Sequence, residues 1–334
     1  MAGIKALRKI QLGREATAGT AVAATTRWRG LGTILDEHVT EFPEEDVGIL
    51  SGTDRTYVPK ELVSISMDSV PATFEQLPHL FEAGIMTDTP AQDGSGSGYI
   101  YQYDVPTTAA ATIKTYTIEG GDNEQAEEME YSFVKNISLG GAGGEAWMMS
   151  ADWTGRQVTK TTFTAAGSAP LPTVEEMLFS KTYLYIDDAD GTAGTTTAAN
   201  TVLSAELSIS TGWQEVFTAD GNTYFSFNKN TMPEITLNVT FEHDSTSIAE
   251  KDNWIAQTAR LIQIKCIGSA FTTAGTDYSN KTFIANLPGK WESFESIGEQ
   301  DGNDIVSGTF RVRYNADAGH AGQFLIVNDL SALP

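Results

Sequence analysis

Apolar and polar residues alternate along several stretches of the chain. The alternation is clearest at 63–68 and 235–242, and it recurs at 131–139, 203–210 and 306–314. Successive side chains of a β-strand point to opposite faces of the sheet, so each stretch predicts a strand with one apolar and one polar face. We therefore expect sheets that are covered on one side and wet on the other.

Two segments have the apolar spacing of an α-helix. The first is expected between Thr73 and Gly84, and Pro78 is compatible only with its first turn, so this helix should begin late. In the second, Ser247 and Glu250 have the spacing of a capping box. Its predicted apolar stripe consists of Ile248, Trp254, Ile255 and Leu261. Each helix follows a strand, and we expect it to pack on the outer, apolar face of the sheet.

The strand–helix unit occurs twice. Asp68 and Glu242 end corresponding strands 174 positions apart (242 − 68), and two further strands follow each helix. The pattern predicts a duplicated β domain, with residues 1–170 as the first copy and 171–334 as the second. The first copy would carry an insertion at about 86–128. Gly, Ala and Pro cluster at the expected junction, residues 164–176.

The charge balance is acidic. The chain has 21 Lys and Arg residues against 44 Asp and Glu residues, a formal net charge of −23. Tight phosphate binding needs basic patches, so this balance argues against a protein that grips nucleic acid. It is compatible with a surface that must not bind DNA. No run approaches the length of a membrane span, and the N-terminus lacks an apolar signal segment, so we expect synthesis in a cytoplasm and no membrane insertion.

Candidate chemistry is scarce. The four histidines have no metal-site spacing, and His79 is expected to be a partly exposed helix residue. The single cysteine, Cys266, lies in an apolar run and is expected to be buried. The segment "DDADG" at 187–191 lacks the regular carboxylate spacing of a calcium loop. We expect no cofactor, no metal and no enzyme activity.

Long strands with a small-polar face suit a wide barrel with a wet interior. Eight strands close to a diameter of about 16 Å, which side chains fill, whereas about 24 strands close to roughly 48 Å. Ser, Thr, Asn and Asp could not be buried in the narrow barrel without hydrogen-bond partners. The wide barrel would admit a DNA duplex.

The chain resembles a known family. "KIQLGREATAGTAVAATTRWRG" at 9–30 and "VSISMDSVPATFEQLPHLFEAGI" at 63–85 are similar to the major tail tube protein of bacteriophages with long, non-contractile tails. The resemblance implies a mainly β tube fold and stacked rings whose lumen conducts the DNA genome during ejection without binding it specifically. It also implies partners in the tape measure, tail terminator and tail tip proteins. The protein would be assembled in the host bacterial cytoplasm and reside in the virion.

The duplication changes the expected ring. Many relatives carry one tube domain and form hexameric rings, so two domains per chain suggest trimeric rings with pseudo-six-fold symmetry; six chains per ring is the alternative. Polar side chains of three strands are expected to face the lumen: Ser64, Ser66, Asp68, Ser150, Asp152, Thr236, Asn238, Thr240 and Glu242. Loop residues expected to contact adjacent rings are Glu44, Glu45, Asp46, Asp220, Asn222 and Phe225. Arg311 and Arg313 depart from an acidic wall, so they are either paired locally or on a strand that faces elsewhere.

Two other classes remain open. One is another virion structural protein, such as a decoration or tail-tip protein, which would not polymerise into a tube. The other is a bacterial β-sandwich adhesin or carbohydrate-binding protein. The latter would use an aromatic platform, for which the candidates are Trp147, Trp153, Trp213 and Trp291.

Overall fold

The computed structural model describes residues 3–334, and it is mainly antiparallel β, as the alternation predicted. The strands are β1 (Lys9–Arg14), β2 (Thr26–Trp28), β3 (Gly32–Asp36), β4 (Val39–Glu41), β5 (Tyr57–Lys60), β6 (Val63–Pro71), β7 (Ala91–Gln92), β8 (Tyr99–Asp104), β9 (Tyr116–Gly121), β10 (Ala126–Ala142), β11 (Met148–Gly155), β12 (Val158–Thr161), β13 (Thr182–Asp188), β14 (Val202–Ser210), β15 (Trp213–Val216), β16 (Phe227–Asn230), β17 (Glu234–Glu242), β18 (Arg260–Ala270), β19 (Asn280–Phe294), β20 (Gly298–Gln300), β21 (Asn303–Val312) and β22 (Gln323–Asn328). The helices are α1 (Leu77–Gly84) and α2 (Ser245–Ile255), with short 3₁₀ turns at Lys5–Leu7 and Phe179–Lys181. Neither α-helix of residues 3–334 has the length or the apolar content to span a membrane.

One sheet runs through the whole chain. Its strands pair antiparallel in the order β3, β6, β11, β10, β14, β17, β21 and β19. We call these eight strands the long sheet. Its two halves meet where β10 pairs with β14, from Asn136 opposite Ser210 to Ala142 opposite Ser204.

Two strands leave the long sheet and continue into further sheets. The first part of β10 pairs with β9 and β12, and β9 in turn pairs with β1. The first part of β19 pairs with β18 and β22, and β18 in turn pairs with β13. Both strands have a register shift where they pair within the long sheet, at Lys135 in β10 and at Glu292 in β19.

The pairings follow the same order in the two halves. Seven strands in each half make the same set of pairings. They correspond in the order given: β1, β3, β6, β9, β10, β11 and β12 in the first half, and β13, β14, β17, β18, β19, β21 and β22 in the second. The predicted insertion at 86–128 is not a plain loop. It contains β9, which belongs to the first half, and β8, which pairs with β22 of the second half.

The core lies on the apolar side of the long sheet. Trp153 and Trp291 are each 1% exposed, and α1 packs against β10 with all eight of its residues buried. Pro78 lies in the first turn of α1, as predicted. Phe81 of α1 also contacts Tyr103, Phe283 and Phe324, so strands β8, β19 and β22 cover this helix.

Two predictions about the helices are wrong. The capping box of α2 is formed by Asp244 and Ser247, because the Asp244 carboxylate accepts from the Thr246 and Ser247 backbone N–H groups at 2.8 and 3.0 Å. The predicted apolar stripe is wrong except at Trp254, which packs against the core; Ile248 and Ile255 are 47% and 68% exposed. The predicted stripe residue Leu261 belongs to β18.

Candidate functional site

One face of the long sheet is polar and open to solvent. The alternating burial of β6, β17 and β21 places Ile65, Leu237 and Phe310 in the core and turns the residues between them outward. A depression of about 350 Å³ lies on this face at the meeting of the two halves, with Asp152 and Thr236 among its lining residues. We call this surface the polar face.

All nine residues predicted to face a lumen lie on the polar face, and none is fully buried. They are Ser64, Ser66, Asp68, Ser150, Asp152, Thr236, Asn238, Thr240 and Glu242. Cross-strand hydrogen bonds join some of them to their neighbours. The Ser66 hydroxyl donates to Asp152 at 2.7 Å, and the Thr309 hydroxyl donates to Asn238 at 2.8 Å. The register of these strands thus agrees with the alternation, while the lumen itself stays a prediction.

Arg311 lies on the same face and is paired locally. Its guanidinium donates to Glu292 at 2.8 and 3.1 Å and also bonds Glu234. The hydrogen bond from Arg311 lowers the pKa of the Glu292 carboxyl, and the same bond raises the pKa of Arg311. This cation is therefore offset by two carboxylates and does not make the polar face basic.

No site residue was predicted on β10 or β14, the two strands at the centre of the polar face. Asn136 and Ser138 of β10 and Ser208 and Ser210 of β14 line the depression together with Asp152. The alternation at 203–210 did predict a strand with a polar side, and this pattern could have added the polar residues of β14 to the predicted site. In β10 the register shift at Lys135 interrupts the alternation, so the strand's polar side was hidden.

The long sheet ends in strands with an open side. Among residues 3–334, β3 pairs only with β6, and the end of β19 beyond Gly289 pairs only with β21. The Asp68 N–H donates to Leu31 and the Glu37 N–H donates to Leu62, so alternate residues of β3, including Asp36, direct their own N–H groups away from β6. Such edges are templates for pairing with another chain.

Two hairpins precede the corresponding strands β6 and β17. The β4–β5 hairpin carries the predicted loop residues Glu44, Glu45 and Asp46 in its connection, where Glu44 and Asp46 are exposed. The β15–β16 hairpin carries Asp220 and Asn222 in an exposed turn.

The expectation for Phe225 is wrong. Its ring is fully buried within its own chain, 5.1 Å from the ring centre of Tyr131 and 5.9 Å from that of Phe133. In this position it cannot contact an adjacent ring of subunits.

A buried polar cluster fixes α1 to the first strand. Arg14 bonds both oxygens of Glu82 at 3.0 and 2.5 Å, and the Tyr116 hydroxyl donates to Glu82 at 2.9 Å. His79 is 3% exposed, so its expected surface position is wrong. Burial lowers the pKa of His79 to about 3, and the positive charge of Arg14 acts in the same direction. The His79 Nδ1 atom lies 2.9 Å from the Tyr116 hydroxyl, so these groups have partners within the cluster.

The other candidates for chemistry are accounted for by packing. Cys266 is buried, as predicted. The four tryptophans proposed as a platform are at most 4% exposed, so they offer no stacking surface. Within residues 3–334, no three His, Cys, Asp or Glu side chains are grouped to hold a metal ion. No family model and no curated protein matches the chain.

Proposed function

We propose that this chain is the structural subunit of a bacteriophage tail tube, which polymerises into stacked rings around a lumen that conducts DNA. The observation that carries the proposal is the pairing of β10 with β14, which joins two four-stranded units of the same order into one sheet with a polar side open to solvent. A sheet that continues in this way across chains removes its own open edges.

The internal junction is a template for the junction between chains. Inside the chain, β10 of the first unit pairs with β14 of the second unit. At the two ends of the long sheet, β19 corresponds to β10 and β3 corresponds to β14. Pairing of the β19 end of one chain with β3 of the next repeats the internal junction. In β3, Asp36 pairs with Val63, and in β14, Ile209 pairs with Ile235. Val63 and Ile235 hold the same place in β6 and β17, so Asp36 and Ile209 occupy corresponding positions. The outward N–H of Asp36 is available for this pairing.

We propose three chains per ring. Three chains supply about 24 strands, which close to a diameter of roughly 48 Å. The polar face then lines an aqueous channel wide enough for a DNA duplex. Two equivalent units per chain give a trimeric ring with pseudo-six-fold symmetry.

The chemistry of the polar face suits passage of DNA without specific binding. Asp68, Asp152 and Glu242 put negative charge on it, Arg311 is paired with carboxylates, and the exposed cations Lys290 and Arg313 lie at its β19–β21 end. Negative walls repel phosphate and supply no counterion-releasing contacts. In the virion the tube would meet the tape measure, terminator and tip proteins, and it would be assembled in the host cytoplasm.

Electron microscopy of the concentrated, purified protein tests the proposal. Hollow tubes, or rings of three chains, are expected. Protein that remains monomeric at every concentration would refute tube formation, and rings of six chains would refute the duplication while leaving the tube function in place.

Ring stacking is a separate part of the proposal. The connection between β4 and β5 exposes Val47, Ile49 and Leu50, with Leu50 at 108% of its reference surface. We assign the apolar part of this connection, residues 47–50, to contacts with the adjacent ring. Deleting residues 46–52 should leave a soluble protein that forms rings but not long tubes, and tubes of normal length from that variant would show that this part of the connection is dispensable.

A further inference from the structure

The β15–β16 hairpin is docked on the first half of its own chain. Trp213 and Phe225 are 4% and 0% exposed, and the indole N–H of Trp213 donates to the Gly84 carbonyl at the end of α1 at 3.0 Å. Arg156 stacks 4.3 Å from the Tyr131 ring centre and donates to the Phe225 carbonyl at 3.0 Å. The hairpin thus covers the place where β10 changes sheets, next to the end of the helix.

The corresponding place in the second half is open. Arg156 donates its N–H to Glu130 at 3.0 Å, and Arg313 likewise donates its N–H to Pro288 at 2.9 Å, so Arg313 corresponds to Arg156. Around Arg313 lies a groove of about 330 Å³ whose lining includes Trp291, Tyr314 and Gln257. Gln257 follows the end of α2, as Gly84 ends α1. We call this space the β19–β21 groove.

The β4–β5 hairpin contacts its own chain at its base, where the Lys60 ammonium lies 4.6 Å from the Phe217 ring centre, while its aromatic side chains are left exposed. It precedes β6 as the β15–β16 hairpin precedes β17, and the two have the same antiparallel form. Val39, Phe42 and Tyr57 are 37%, 68% and 53% exposed. An unfilled groove and an uncovered hairpin therefore occur at matching places in one chain.

The charges of the two surfaces are complementary. Residues 39–60 contain five acids against two bases, and Glu41 and Glu44 are exposed. Lys290 and Arg313 line the groove, are exposed, and make no ion pair within residues 3–334. Opposite charges on facing surfaces favour and orient association.

From this match we infer that the β4–β5 hairpin of one copy docks in the β19–β21 groove of the next copy in the same ring. The inference rests on the proposed self-assembly and adds to it a specific clasp between neighbours. Phe42 and Tyr57 supply the aromatic surface that Trp213 and Phe225 supply within the chain. Arg313 stacks on this surface as Arg156 stacks on the β15–β16 hairpin, where it lies 5.3 Å from the Tyr224 ring centre and 5.6 Å from that of Phe225.

Cross-linking tests the clasp. Thr40→Cys, which keeps Phe42 in place, and Tyr314→Cys are introduced together, and the assembled protein is treated with a short bismaleimide. Native Cys266 is buried and serves as the unreactive background. Covalent dimers and trimers are expected, with no larger product, because three clasps close a ring. The matched control is Met232→Cys with Tyr314→Cys, which places an exposed thiol outside the hairpin and should remain monomeric on a denaturing gel.

The other outcomes overturn the clasp in distinguishable ways. Rings that form without this cross-link refute the clasp alone, and a ladder beyond three chains shows that the hairpin reaches another ring. A protein that never associates refutes both the clasp and the tube. Independently, Lys290→Glu with Arg313→Glu should raise the concentration needed for assembly by about tenfold, and Glu41→Lys with Glu44→Lys should restore it. No shift in that concentration would contradict the charge pairing.

Discussion

Reversing the charge of the polar face should make the tube retain DNA. We consider Asp68→Lys, Asp152→Lys and Glu242→Lys in one chain, since none of the three side chains is buried. Asp152 loses its bonds to Ser66 and Asn136, at 2.7 and 3.2 Å, but both are solvent-exposed, so the fold should survive. A ring of three chains then carries nine substitutions, each changing the local charge by two.

The magnitude follows from the geometry of the bore. In a barrel about 48 Å wide, a duplex on the axis leaves about 10 Å between wall side chains and phosphates. One charge pair at that distance is worth about 0.4 kcal/mol in water, so one reversal changes the energy by about 0.8 kcal/mol. Screening leaves about 0.6 kcal/mol at 0.01 M salt and about 0.2 kcal/mol at 0.15 M. Nine reversals sum to about 5 and about 2 kcal/mol per ring.

Nuclease protection measures this effect. Tubes of the triple variant should retain duplex DNA that nuclease cannot digest at 0.01 M salt, and retention should fall steeply toward 0.15 M. The matched control, Asp68→Asn with Asp152→Asn and Glu242→Gln, removes the charges without reversing them and should give about half the energy change. Intact variant tubes that protect no DNA at low salt would show that these residues do not line the lumen.

Three further predictions concern assembly and stability. Asp36→Pro removes an outward N–H of β3 and should abolish rings without lowering the unfolding midpoint, whereas Asp36→Ala should assemble; rings from the proline variant in microscopy would contradict edge pairing. Phe225→Ala should lower the free energy of unfolding by about 3–5 kcal/mol in chemical denaturation, because the ring is buried. Phe42 is exposed, so Phe42→Ala should change the free energy of unfolding of the monomer by less than about 0.5 kcal/mol and yet weaken assembly. Equal losses of stability in the two variants would refute the assigned burial. The pKa of His79 is about 3 in the folded chain against 6.5 ordinarily, so the unfolded chain binds its proton first and stability falls as pH drops from 6.5 toward 3. His79→Gln should flatten this part of the pH profile of the thermal midpoint, and an unchanged slope would contradict it.

Local sequence patterns were sufficient to identify the strands and their polar sides. Period-two alternation identified the polar sides of β6 and β17 with the correct register, because a strand that buries one face must keep apolar residues on every second position. Pro78 similarly limited where α1 could begin, because proline is tolerated only in the first turn.

Which surfaces are covered depends on contacts between distant parts of the chain. His79 and Phe225 are buried by segments far away in the chain, and no local pattern records such contacts. Ile248 and Ile255 have helical spacing but lack a covering partner in a single chain. The pairing of β10 with β14, which makes one sheet of two units, also depends on residues about 70 positions apart. Local alternation fixes which face of a strand is apolar, whereas the neighbour that covers this face is set by long-range packing.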